Sequence, residues 1–115
     1  MDSDIKSSEY INSTDALSRI GGNASLYKRL LGRFIDGNHY EVLSSAVEEG
    51  DLEEAARQAH TLKGVSANLS LSKINTLTAE LERLLKSNSD YSPCLAELKQ
   101  AFDATVAEIS EIIAD

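Results

Sequence analysis

The stretch "AARQAHTLKGVSANL", residues 55–69, decides how this chain folds. Ala55, Ala56, Ala59, Leu62, Ser66 and Leu69 recur in steps of three and four, the rhythm of a helix that buries one face. Leu52 extends that rhythm upstream. Two residues sit awkwardly in it: His60 and, one turn later, Gly64. Glycine inside a helix costs about 1 kcal/mol relative to alanine. A helix that carries this cost beside a histidine raises the question of what the bare position is for.

Working outward, the same periodicity fills the chain. Asp51 can cap the central helix, and Glu54 stands where a capping box would place it. Upstream, Tyr40, Leu43 and Val47 mark a helix ended by Gly50. Before a break at Gly37 and Asn38, Leu26, Tyr27, Leu30, Leu31, Phe34 and Ile35 mark another, with Asn23 as its cap. Thr14 or Asp15 can cap a short first helix through Leu17 and Ile20, stopped by Gly21 and Gly22. Downstream, a helix starting near Ser70 or Ser72 turns Leu71, Ile74, Leu77, Leu81, Leu84 and Leu85 inward. "KSNSDYSP" is a loop. Ser92 then caps a final helix with Pro93 in its first turn, and Leu95, Leu98, Phe102, Thr105, Ile109 and Ile112 face the core.

No strand pattern, internal repeat or low-complexity tract occurs. Short connections make neighbouring helices antiparallel. The expected fold is therefore all-α: an antiparallel four-helix bundle with additional short N-terminal helices. Residues 1–12 are expected to form a flexible polar tail and residues 13–115 the bundle domain.

Bulk composition narrows the function. A chain of 115 residues with 42% hydrophobic content suffices for one domain with its own core. A formal net charge of −8 repels phosphate backbones, so nucleic-acid binding is not expected. Cys94 is the lone cysteine and cannot form an internal disulfide or a cysteine-rich metal site. No apolar run is long enough to cross a membrane, and "MDSDIKSSEY" has no signal-peptide pattern. A cytoplasmic setting is expected.

On a helical wheel centred on Ala59, Leu52, Ala55, Leu62 and Ser66 fall within about 60°. His60 lies about 100° away, at the edge of the buried stripe and open to water. Gly64 and Ala67, one and two turns on, leave a bare patch beside it. Arg57 lies on the same side. A neutral imidazole has an unprotonated ring nitrogen, and that nitrogen is a nucleophile able to take a phosphoryl group. Lys63, three residues on, can offset the charge such a group brings. A lone helix histidine is usually only a surface or core-edge residue; the combination H-x-x-K-G with Ala67 beyond it points to function. His39, in "IDGNHYEV", lacks that context and reads as a surface residue.

"AHTLKGVSANLS" resembles the phosphoacceptor signature of histidine-containing phosphotransfer (HPt) domains, and the resemblance extends from about Ala16 to Ile113. "LSRIGGNASLYKRLLGRF", "EEGDLEEAARQAH" and "LTAELERLLKSN" are similar to the flanking helices. The resemblance implies that His60 is the phosphorylated residue, that Lys63 supports the phosphate, and that Gly64 leaves room for a receiver domain. Arg57 and Ala67 are assigned with Gly64 to the partner-facing patch. No catalytic residue beyond His60 and no metal ligand is expected. The family implies a phosphocarrier without an ATP site or cofactor, the Mg²⁺ belonging to the receiver. Implied partners are receiver domains of response regulators or a hybrid sensor kinase, with the protein a monomer. Ser70 stands where the family often has glycine, and an adjusted turn is expected there. Val65 replaces a common small residue, away from the His60 patch.

Other readings fit less well. Neither a GxxxxGK[ST] loop nor a kinase-type glycine-rich loop is present. The dimerising histidine helices of sensor kinases usually place an acidic residue after the histidine, where this chain has Thr61. A di-iron bundle needs inward Glu-x-x-His pairs, but Arg57 and Asp36 stand three residues before the two histidines. A helical adaptor without phosphotransfer remains as the alternative.

Overall fold

The computed structural model describes residues 7–114. Six helices follow one another: α1 (Ser13–Arg19), α2 (Ala24–Asp36), α3 (His39–Glu48), α4 (Leu52–Asn68), α5 (Ser72–Lys86) and α6 (Ser92–Ala114). No strand occurs among the described residues.

Helix starts follow from side-chain oxygens that satisfy free backbone N–H groups. Asn23 accepts from the Leu26 N–H and Asp51 from the Glu54 N–H, as expected. The cap of α1 is Asn12, which accepts from the Asp15 N–H; neither Thr14 nor Asp15 serves. The capping box at α4 is only half formed. Glu54 turns forward to Arg57 and Gln58, while the Asp51 N–H donates to the Ala46 carbonyl. At α6, Asp90 accepts from the Ser92 N–H and the Tyr91 carbonyl from the Leu95 N–H, so Ser92 is not the cap. Gly50 separates α3 from α4 at φ +76°, a left-handed conformation that lets the chain reverse within a few residues.

The body measures 47 × 20 × 19 Å. Helix α4 packs most extensively on α5, then on α3; α6 lies against α5 and returns to α2, and α1 sits on α2. Leu31, Leu43, Leu62, Ile74, Leu81, Leu98 and Ile109 are completely buried between them. The buried hydroxyls of Thr78 and Thr105 donate to carbonyls one turn back in their own helices. Tyr27 is buried too, and its hydroxyl donates to the Leu69 carbonyl at 2.8 Å, fastening α2 to the end of α4.

The packed domain starts before residue 13. Ile11 is completely buried, the Asn12 N–H donates to the Ser70 carbonyl, and Ser8 donates to Glu108. The expectation of a loose tail is therefore corrected for residues 7–12; residues 1–6 lie outside the described part.

The α4–α5 corner holds a further correction. Ser70 does not cap α5: the residue before the helix is Leu71, and no side chain caps it. Ser70 instead takes the left-handed φ of +56° that glycine would adopt most easily. Its hydroxyl donates to Asp15 at 2.7 Å. Arg19 joins Asp15 and the Ala67 carbonyl. One polar cluster thus ties α1 to the end of the histidine helix.

Candidate functional site

Helix α4 presents His60 on its flank, with 67% of the side chain exposed. An apolar wall lies below it, because Leu52, Ala56 and Leu85 line the groove between α4 and α5. That groove has a volume of about 660 Å³ and opens beside the imidazole, with Arg57, Glu82 and Lys86 on its polar side. Gly64 is bare: a Cβ built on it would meet nothing within 4 Å. Ala67 is exposed further along the same helix. Arg57 is exposed and engaged with Glu53 and Glu54 of its own helix.

The centre of the site is a residue of α5 that sequence reasoning passed over. Glu82 is only 6% exposed, yet it is charged. A buried carboxylate is tolerated only when its oxygens are paired, and three groups do so here. Oε2 receives His60 Nδ1 at 3.1 Å and Lys86 Nζ at 2.8 Å. Oε1 receives Lys63 Nζ at 2.9 Å. The hydrogen bond from Lys86, followed by that from Lys63, outweighs burial and holds the Glu82 carboxyl at about 2, well below its usual range.

An ionised carboxylate can only accept hydrogen bonds. His60 Nδ1 must therefore carry the proton in the bond to Glu82. In the neutral ring that leaves the lone pair on Nε2, on the side away from the carboxylate. Glu82 thus fixes both the orientation of the imidazole and the nitrogen that is free to react, as an acidic partner does for a catalytic histidine.

The second histidine has different surroundings. His39 is half-buried and stacks on Phe34, with ring centroids 5.2 Å apart. Its ring lies against Gly37, where an added Cβ would come within 2.6 Å of Nε2. Burial pushes its pKa down. It is a packing residue at the α2–α3 break, not the surface residue expected. Val65 is half-buried and lines a separate groove with Leu30, Phe34 and His39.

The structure thus brings together His60 and Lys63 and leaves Gly64 and Ala67 bare nearby. It adds Glu82 and Lys86, 22 and 26 residues further on. One signal could have flagged Glu82: it stands four residues after Thr78 and three before Leu85, both inward positions of α5. Among the described residues, no group of three His, Cys, Asp or Glu side chains could hold a metal ion, and no helix is long and apolar enough to cross a membrane.

Comparison with known proteins identifies a family for the chain. The family model of the Hpt domain matches residues 30–111, from the middle of α2 almost to the end of α6. Neither curated proteins nor solved structures gave a match. A match over well over half of the chain, on a helical bundle with an exposed helix histidine, places this protein in the Hpt domain family, the phosphocarrier modules of two-component signalling.

Proposed function

We propose that His60 is the phosphoacceptor of this Hpt domain, taking a phosphoryl group from a receiver-domain aspartate or a sensor kinase and passing it to a response-regulator aspartate. The bond between His60 Nδ1 and Glu82 carries this reading, because it aims a nucleophilic Nε2 at solvent on an exposed flank. In the forward step the lone pair of Nε2 attacks phosphorus. The phosphorus–oxygen bond of the aspartyl phosphate breaks, and the aspartate leaves as a carboxylate. The Nδ1 proton stays in place, and the ring's new positive charge faces Glu82. Transfer onward runs the same exchange in reverse.

Lys63 supports the added phosphate as a flexible point charge. Gly64 and Ala67 leave space for the partner to bring its own surface against α4, with Arg57 at the rim. The chain needs no cofactor for this role; the Mg²⁺ belongs to the receiver's acidic pocket. It acts as a monomer in the cytoplasm.

The test incubates the protein with a phosphorylated receiver domain and Mg²⁺, without any kinase. Label should appear on the wild type and on His39→Gln, be lost in acid and survive alkali. His60→Gln should keep its helical spectrum and cooperative melting but take no label. Label that persists on His60→Gln overturns the assignment. An unlabelled wild type, across the receivers offered, favours the adaptor reading.

A further inference from the structure

Glu82 holds two ammonium groups besides the imidazole, and that surplus has a use. Lys63 from α4 and Lys86 from α5 approach its two oxygens from different helices, and neither is sealed in: 36% and 65% of their side chains are exposed. Lys86 Nζ and His60 Nδ1 share the same carboxylate oxygen. Lys86 is therefore within one side-chain swing of the ring, although 26 residues separate the two.

Two cations on one anion leave the cluster with a net positive charge before any phosphate arrives. Phosphorylation at Nε2 redistributes the charges. The ring becomes cationic, and its Nδ1–H needs Glu82 more than before. The phosphoryl group brings close to two negative charges and three acceptor oxygens on the outer side. Both lysines then have a partner stronger than a shared carboxylate.

We propose that Glu82 is an internal placeholder for the phosphoryl group: it holds the Lys63 and Lys86 ammonium groups while His60 is unmodified, and both exchange onto the phosphate when Nε2 is phosphorylated. Lys86 is by this account a second phosphate-supporting residue. Glu82 is a positioning residue that keeps the imidazolium proton and releases the lysines. The exchange rests on His60 being the phosphoacceptor and adds a charge relay between two helices that a single Lys63 contact would not need.

The experiment phosphorylates the full chain with phosphoramidate, a small donor that needs no receiver. Nε2 attacks its phosphorus, the phosphorus–nitrogen bond of the donor breaks, and ammonia leaves. Nitrogen resonances of the lysine Nζ atoms are followed together with the phosphorus resonance through a pH titration. The expected result is that the Lys63 and Lys86 signals both move on phosphorylation and return on hydrolysis. Lys86→Met should raise the second pKa of the phosphoryl group by a few tenths, the size that a partly exposed ion pair supports. Glu82→Gln retains an acceptor for Nδ1–H but frees the lysines beforehand, so phosphorylation should still move both signals, from solvated starting positions.

A stationary Lys86 signal, or a phosphoryl pKa in Lys86→Met equal to the wild type's, overturns the exchange; movement of Lys63 alone does so too. Failure of the relay reading looks different. His60 would accept phosphoramidate, and the lysines would move, but no receiver would donate to or accept from the protein. Absence of any phosphoryl group on His60 overturns both.

Discussion

At the scale of one residue, Gly64 is where the proposed partner access can be tested most directly. Nothing approaches the place where its Cβ would be, so no internal packing requires glycine there. Gly64→Ala should stabilise the fold by up to about 1 kcal/mol in urea melts. Gly64→Gln should fold as well and slow transfer from a receiver severalfold, since its side chain projects over the patch beside His60. Wild-type transfer rates in Gly64→Gln would remove the access argument. This residue was legible in sequence because its cost is local: a poor helix former in a strong helical rhythm. Glu82 was not legible in the same way. "AELERLLK" reads as an ordinary charged helix face, and the burial of one glutamate depends on the α4 cations that meet it in three dimensions. His39 misled for the related reason that an aromatic stack on Phe34 leaves no periodic trace in a break.

At the scale of the element, periodicity found all six helices, but their ends were less readable. In "NSTD", residues 12–15, every side chain has an oxygen that could cap; geometry selects Asn12, three residues before the N–H it satisfies. The α4–α5 corner is the sharper case. Ser70 occupies a glycine-like conformation and compensates with bonds to Asp15 and Arg19. A non-glycine residue there costs about 1 kcal/mol, and a hydrogen bond of this kind returns about the same. Ser70→Gly removes the strain and the bonds together and should change stability by less than about 1 kcal/mol. Ser70→Ala keeps the strain, loses the bonds and should cost about 1 to 2 kcal/mol. Urea midpoints decide between these outcomes. Equal stability of the alanine and wild-type proteins would mean that the Asp15–Ser70–Arg19 cluster does not hold the corner.

At the scale of the whole molecule, Glu82 and Tyr27 are the buried groups with the largest shifts, and each should shape one end of the pH dependence of stability. Glu82 stands at about 2 in the folded protein against its ordinary 4.5, chiefly through the hydrogen bond from Lys86. A depressed carboxyl contributes stability above its unfolded value and loses it as pH falls through the folded one. The acid limb should therefore descend between about pH 4.5 and 2. Asp15 and Glu80 are also held low, by Ser70 and Arg83 first, but they are solvated and add little. On the alkaline side, burial raises the Tyr27 phenol from 10.0 to about 12. An acid whose folded value is raised stabilises below its unfolded value, so that contribution is lost from about pH 10 to 12. Glu82→Gln should be less stable than the wild type at pH 7 and should converge with it near pH 2, where the wild-type carboxylate is itself being protonated. Tyr27→Phe should lose about 1 kcal/mol at neutral pH, where the bond to Leu69 is broken, and should show a flatter alkaline limb. Urea midpoints from pH 2 to 12 measure both. Parallel acid limbs for Glu82→Gln and wild type would show that the three groups meeting at Glu82 do not hold α4 and α5 together, and would leave the acid transition to the solvated carboxylates.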